Sequence, residues 1–290
     1  GFSMELRPNF ASVIVDLKEY EFMDEKWLTK RDKNYNKPMN IYEVHLASWH
    51  TNPADENGYY RYEEIADRLI SYVKENHFNY IEFLPLSEHP FDGSWGYQNT
   101  GFFAPTSRFG EPDGLRYLVD LCHQNQIGVI MDCAMVSFAI DRFGLADYDG
   151  QPLYEYGHKD SAINQFGSLN FIHAKGYVRS FLQSAAYYWL KEFHFDGLHF
   201  GSMSRLIYWH GEKHRGENGI AIDFLKCMNL GLKQRIPECI LMTGGTGGFL
   251  KTTDTVANSG LGFDYQWDAN WMEDVLKYLM VLQVRGMKHN

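Results

Sequence analysis

The chain has 290 residues and a formal net charge of −10 at pH 7, with 44% hydrophobic and 22% charged residues. These values are typical of a globular protein with a large core, and the negative charge argues against nucleic acid or an anionic membrane as the main partner. No apolar run approaches the roughly 20 residues of a membrane-spanning helix, and no signal peptide opens the chain, so neither a membrane partner nor export is expected.

The four cysteines predict a reduced, cytoplasmic protein. They occur in apolar or helical stretches and have no C-x-x-C spacing: Cys122, Cys133, Cys227 and Cys239. Buried free thiols are typical of a reducing compartment, and this spacing indicates no zinc site. We therefore expect no metal and no cofactor.

Short apolar runs alternate with amphipathic stretches along the chain. Residues 1–38 are charged and irregular and predict a linker, whereas residues 39–290 predict one barrel domain. The predicted strands are 40–46, 80–84, 128–134, 196–200, 239–243 and 261–265. The predicted helices are 62–74, 113–124 (with Asp113 as its N-cap), 176–193, 220–235 and 271–284, and a long loop covers 137–171.

This alternation predicts an α/β protein with a parallel sheet, and the closed solution for such units is the TIM-type (β/α)8 barrel. Only about six βα units are present, so the predicted barrel is incomplete. An open sheet leaves two strand edges unpaired, which favours cover by irregular segments or by another subunit. A homo-oligomer or a protein partner is therefore one interpretation.

The stretch from residue 80 to 110 carries the clearest functional signal. A strand-like run ends at Pro85, and a long loop rich in glycine and aromatic residues follows. Flat aromatic faces beside amides suit a sugar ring, and long loops in compact domains are usually functional. Trp95, Tyr97 and Gln98 are the candidate sugar contacts, and packing onto the barrel rim is the structural alternative.

The loop reads S-E-H-P-F-D-G-S-W-G-Y-Q-N-T-G-F-F-A-P-T-S-R-F-G. It closely resembles the loop after the second barrel strand of glycogen (1,4-alpha-glucan) branching enzymes, which belong to the alpha-amylase superfamily (glycoside hydrolase family 13). The resemblance implies a catalytic barrel, a role in glycogen metabolism and an α-glucan such as glycogen or starch as ligand. Tyr97 and Asp132 then match positions that contact substrate in the family.

The resemblance also shows what the chain has lost. Retaining enzymes of this kind need two carboxyl groups at the strand ends. The fourth strand of the family ends like D-G-L-R-V-D-A-V, but the chain reads D-G-L-H-F-G-S-M, which puts His199 at the arginine and Gly201 at the nucleophile. The fifth strand ends in L-M-T-G-G-T-G, which puts Gly244 at the acid/base.

Two further family positions differ. The third-strand motif keeps Asp132, which either contacts sugar or caps a loop, but Ser137 replaces its sugar-binding histidine. The acid that follows strand seven in the family would lie beyond Asn290. Asp196 is expected at the opposite end of the barrel, and neither Asp264 nor Glu217 follows a matching strand.

Glycine supplies neither a nucleophile nor a proton, so no catalytic residue is assigned. The resulting hypothesis is a branching-enzyme-like pseudoenzyme that binds an α-glucan or a protein partner. The alternatives are an active 1,4-alpha-glucan branching enzyme, which makes α-1,6 branches by retaining glycosyl transfer, and a structural assembly subunit.

Overall fold

A curled sheet of six parallel strands forms the centre of the fold, and each strand pairs with the strands that precede and follow it in the sheet in chain order. The computed structural model describes residues 1–17 and 20–285; residues 18, 19 and 286–290, predicted to belong to the linker and the barrel, lie outside that description. The strands are β1 Ile41–Val44, β2 Tyr80–Phe83, β3 Gly128–Asp132, β4 Gly197–Phe200, β5 Ile240–Thr243 and β6 Tyr265–Gln266.

Long helices alternate with these strands. They are α1 Tyr62–Glu75, α2 Pro112–Gln124, α3 Gly176–Glu192, α4 Gly219–Arg235 and α5 Ala269–Arg285. The prediction of an α/β protein with an incomplete barrel of about six units is confirmed, and the sheet is a half-barrel. No helix in the described part of the chain is long and apolar enough to cross a membrane.

The loops between these strands and helices contain short elements of secondary structure. Three strand pairs form small antiparallel sheets of two strands each. They are Ser3–Met4 with Ser12–Val13, Ser87–Glu88 with Gly101–Pro105, and Ser137–Phe138 with Leu169–Asn170. Short helices and 3-10 turns are Glu25–Leu28, Leu46–Trp49, Asp92–Ser94, Ser107–Phe109, Lys159–Ala162, Ser204–Ile207, Trp209–Gly211, Lys213–Arg215 and Val256–Asn258. The predicted long loop 137–171 therefore begins and ends in two short strands that pair with each other, and it contains one short helix.

Side-chain alternation along the strands divides the core into two layers. On β3, Val129 and Met131 pack against the helices in the main cluster, whereas Ile130 belongs to a second cluster on the concave side of the sheet. Polar residues follow Ile130 along the concave side, because the next inward position of β3 is Asp132. The mouth of the half-barrel is therefore polar above an apolar floor.

The predicted start of one strand, the predicted cap of one helix and the predicted burial of one cysteine are wrong. The sixth strand was predicted at 261–265, but Gly262 has a φ of 78°, which breaks an extended run, and β6 begins only at Tyr265. The second helix begins at Pro112 after the N-cap Glu111, so Asp113 lies in the first turn instead of capping it. Cys227 is exposed on α4, whereas the other three free thiols are buried.

The N-terminal segment packs on the end of the sheet where the strands begin. Trp27 Nε1 donates a 2.8 Å hydrogen bond to Asp196, which directly precedes β4. His123 lies between Asp24 and Asp196, with ring nitrogens 2.8 and 3.0 Å from their carboxylates. Both carboxylates are buried, so these contacts neutralise charge far from the mouth of the half-barrel, and Asp196 lies at the end expected for it.

Candidate functional site

A buried ion pair holds the aromatic loop that follows β2. Arg108 Nη1 lies 2.7 Å from Glu88 Oε1, and both side chains are almost inaccessible. Arg108 also donates a 2.8 Å hydrogen bond to Asp92, at the start of the turn that precedes Trp95. The loop is therefore fixed from beneath, which orders its exposed aromatic tip.

Backbone geometry turns Trp95 outward. Its φ is 53° and that of Gly96 is 89°; a Cβ on Gly96 would lie 2.3 Å from the Pro85 carbonyl oxygen, so only glycine fits there. The Trp95 ring stacks on His45 with a centroid distance of 5.5 Å and remains 55% exposed. One indole face is thus held while much of the ring stays accessible.

A cavity of about 490 Å³ opens beside this loop, at the end of the half-barrel where the strands end. Its aromatic lining comes from Phe91, Trp95, Tyr97 and Phe166, and its polar lining includes Gln98 and Ser137. The described residues that line it are Phe91, Gly93, Ser94, Trp95, Tyr97, Gln98, Cys133, Ala134, Val136, Ser137, Phe166, Ser168, Gly201, Ser202 and Arg205. None of them is Asp or Glu.

The two glycines lie side by side where β4 and β5 end. Phe200 pairs with Thr243, so Gly201 and Gly244 follow the last paired residues. A Cβ on Gly201 would stand 3.9 Å from both carboxylate oxygens of Asp132, in ordinary contact, whereas a Cβ on Gly244 would stand 3.2 Å from His199 Nε2. Gly201 lines the cavity.

His199 forms the centre of a charged cluster beneath this cavity. Its Nδ1 lies 2.7 Å from Glu82 Oε1 and 3.7 Å from Asp132 Oδ2. Burial lowers the pKa of His199, but contact with Glu82 and the charge of Asp132 outweigh burial and hold the pKa above its ordinary value. Burial raises the pKa of Asp132 to about 6, against the opposing effect of His199.

Asp132 contacts the aromatic loop, and whether it binds sugar or only holds this loop stays a prediction. Its Oδ2 accepts a hydrogen bond from the Tyr97 hydroxyl, and burial together with the Asp132 charge raises the pKa of Tyr97. Tyr97 is still 40% exposed and lines the cavity. The residue thus joins the buried cluster to the accessible cavity.

The other predicted residues also lie at the cavity. Gln98 Nε2 donates a 3.0 Å hydrogen bond to the Phe166 carbonyl, which ties the aromatic loop to the 137–171 segment. Ser137 is nearly buried in the short strand that pairs with Leu169–Asn170, and it lines the cavity. The structure therefore brings Trp95, Tyr97, Gln98, Ser137 and Gly201 to one cavity, with Asp132 and His199 below it and Gly244 beside His199.

Sequence reasoning missed three contributors. Glu82 reaches His199, Phe166 adds an aromatic wall, and the Arg205 guanidinium lies 4.0 Å from the Phe166 ring centroid. Strand alternation could have found Glu82, because it shares the inward face of β2 with Tyr80. No local pattern marks Phe166 or Arg205, since the folding of two loops brings them together.

The other acids considered as catalytic substitutes lie away from the cavity. Asp264 precedes β6, where it contacts Lys33 and Lys233 at 3.1 and 2.7 Å. Asp196 is held by His123 and Trp27 at the opposite end of the sheet. Glu217 is exposed and does not line the cavity.

Solved structures show the class of fold. A crystal structure of a putative alpha amylase from Salmonella typhimurium matches 84% of this chain and 37% of its own with a TM-score of 0.66 at 22% identity. A trehalose-6-phosphate hydrolase from Bacillus licheniformis matches 78% of this chain and 48% of its own with a TM-score of 0.62 at 14% identity. The chain therefore shares the fold of part of each of these two proteins.

Proteins of similar sequence identify the relatives of this chain more specifically than the fold does. The chain is 41% identical over 279 residues to the 1,4-alpha-glucan branching enzyme GlgB of Fusobacterium nucleatum and 42% identical over 278 residues to that of Bacillus subtilis. These matches cover 96% and 95% of this chain. It is therefore a homologue of the bacterial 1,4-alpha-glucan branching enzymes, and the resemblance stated from its motifs is confirmed.

The match covers one section of those enzymes. The aligned section is 45% of the Fusobacterium nucleatum protein and 44% of the Bacillus subtilis protein, so the chain spans less than half the length of these curated relatives. No protein-family model matches the chain.

Proposed function

We propose that the chain binds an α-glucan at the mouth of the half-barrel without transferring glucosyl units. The observation that carries the proposal is the cavity beside Trp95 and Tyr97, which is aromatic and has no carboxylate in its described lining. Exposed aromatic rings give a sugar ring an apolar face to stack on, and Gln98 and Ser137 add hydrogen-bonding groups. The homologous branching enzymes make an α-1,4-linked glucan the ligand to test first.

The buried cluster supports the non-catalytic part of the proposal. A retaining mechanism needs two carboxyl groups about 5–5.5 Å apart on either side of the scissile bond. Glu82 and Asp132 are 1% and 4% exposed, lie against His199, and are absent from the described lining of the cavity. A glucan in the cavity would meet Gly201 instead, which has no side chain to react.

Binding and transfer can be measured on the same sample. Maltoheptaose titrated into the chain in a calorimeter is expected to give saturable binding. Amylose incubated with the chain is expected to keep its iodine stain and gain no α-1,6 linkages by NMR, with the Bacillus subtilis branching enzyme as positive control. Absence of binding would refute the glucan site, and new branches would establish the alternative of an active branching enzyme.

A protein partner is the second candidate, and α5 favours it. This helix exposes a set of large apolar side chains: Trp271, Met272, Leu276, Tyr278, Leu279 and Met280. Exposed apolar patches of this kind are typical of contact surfaces. Light scattering tests self-association: a dimer that Leu276→Glu dissociates supports it, and a monomer at all concentrations contradicts it.

A cytoplasmic location belongs to the same proposal. Cys122, Cys133 and Cys239 are free and buried, and burial raises the pKa of each thiol. Neutral buried thiols are stable in a reducing compartment. Fractionation of the native host with an antibody against the chain would test it.

A further inference from the structure

Three side chains from neighbouring strands converge inside the half-barrel. Glu82 lies on β2, Asp132 ends β3 and His199 lies on β4, all on the concave side. Each offers one potential ligand atom, and these atoms all lie within 4.8 Å of one another. The side chains of Glu82 and Asp132 are more than nine-tenths buried, and that of His199 is 11% exposed.

Most polar atoms of this cluster lack a hydrogen-bond partner. Among the described residues, both oxygens of Glu82, Oδ1 of Asp132 and both ring nitrogens of His199 have none. The 2.7 Å contact between His199 Nδ1 and Glu82 Oε1 is an ion pair whose geometry falls short of a hydrogen bond. Buried carboxylates without such bonds are costly unless a cation satisfies them, and a protonated imidazole satisfies only part of this set.

We propose that Glu82, Asp132 and His199 form a binding site for a divalent transition-metal ion, with Zn²⁺ as the preferred ion. Two carboxylates and one imidazole are a suitable donor set for zinc, and three protein ligands leave a coordination position open. Ligand atoms at tetrahedral zinc lie about 3.4 Å apart, from metal–ligand distances of about 2.0–2.2 Å. The 2.7 and 3.7 Å separations around Nδ1 bracket that value and no pair of ligand atoms is more than 4.8 Å apart, so side-chain rotations would bring the three atoms to one ion.

The surroundings fit such a site. The Tyr97 hydroxyl donates to Asp132 and orients that carboxylate, as partners of ligand residues commonly do. Gly244 leaves space beside His199, because a Cβ there would stand 3.2 Å from Nε2. The ion would tie β2, β3 and β4 together beneath the glucan cavity. This site goes beyond the proposed function, since no glycosyl chemistry depends on it.

The test titrates ZnCl₂ into the chelator-treated full chain in a calorimeter. The expected result is one tight site per chain and a raised thermal unfolding midpoint. His199→Arg keeps a cation between the two carboxylates but cannot ligate zinc, so it separates metal binding from charge pairing. We expect this variant to bind zinc about 100-fold more weakly or worse, because losing only a hydrogen-bond partner of a ligand residue already costs 10–100-fold.

A surface control and a direct observation complete the experiment. His214→Gln removes an exposed histidine and is expected to leave zinc affinity unchanged. Crystals soaked in Zn²⁺ should show an anomalous peak between Glu82, Asp132 and His199, a readout that does not depend on any variant folding. Equal affinity in the wild type and His199→Arg, absence of one tight site, or a peak elsewhere would each overturn the proposal.

Discussion

His199 reaches across β3 to contact Glu82 on β2, with its Nδ1 2.7 Å from Oε1. The motif resemblance places an arginine at this position in the branching enzymes, and the shorter imidazole here lies against the acids of the two neighbouring strands, which hold its pKa above the ordinary value. Asp132 lies 3.7 Å from the same nitrogen. The cluster therefore keeps three ionisable side chains in contact, although the two glycines beside it have none.

Trp95→Ala is expected to weaken maltoheptaose binding roughly tenfold, a change of about 1.4 kcal/mol, because it removes a large, half-exposed indole ring that lines the cavity. Isothermal titration calorimetry measures the change. Trp209→Ala is the matched control, since Trp209 is similarly exposed but lines a different cavity. If the control loses affinity and Trp95→Ala does not, the glucan lies in the other cavity.

Tyr97→Phe is expected to lower the free energy of unfolding by about 1–3 kcal/mol, because the buried Asp132 carboxylate loses its hydrogen-bond donor. Urea denaturation measures this loss. Glucan affinity should change little, since the ring that faces the cavity remains. An unchanged unfolding free energy would show that the Tyr97 hydroxyl does not stabilise Asp132.

Arg108→Ala is expected to lower the free energy of unfolding by about 3–5 kcal/mol, since it leaves Glu88 buried without its charge partner. The aromatic loop should then become sensitive to proteases near Trp95. Arg61→Ala is the control, because its ion pair with Glu63 is exposed and should contribute less than about 1 kcal/mol. Equal losses in the two variants would contradict the role given to Arg108.

The His123 cluster predicts a loss of stability at alkaline pH. Burial lowers the pKa of His123, but Asp196 and Asp24 outweigh burial and raise the pKa to about 9, above the ordinary value of 6.5. The protonated ring therefore stabilises the fold fully below about pH 6.5, and this contribution disappears as the pH rises through 9.

The expected loss is about 3 kcal/mol between pH 6.5 and 9.5, and urea denaturation across that range measures it. His123→Gln should be less stable at pH 6.5 and should lack the alkaline step. A wild type whose stability is flat across this range would contradict the predicted charge on His123.

Local patterns were sufficient for most of the architecture. The run ending at Pro85 was correctly predicted as β2, and the apolar period of residues 62–74 was correctly predicted as α1. Both signals come from residues close together in the sequence, since the apolar run of a strand and the apolar face of a helix each appear within one short stretch. The sixth strand was misplaced because Gly262 adopts a left-handed φ that only the folded loop requires.

The features of the candidate site also fall into two groups, those that local sequence determines and those that depend on the tertiary structure. The sequence by itself determined the aromatic loop, the homology and the glycines at 201 and 244, because these are matters of residue identity. Only the tertiary structure decided that Glu82 meets His199, that Phe166 and Trp95 line one cavity, and that the buried Asp132 contacts Tyr97. Strand register and loop packing set those contacts, and both arise from interactions between residues far apart in the chain.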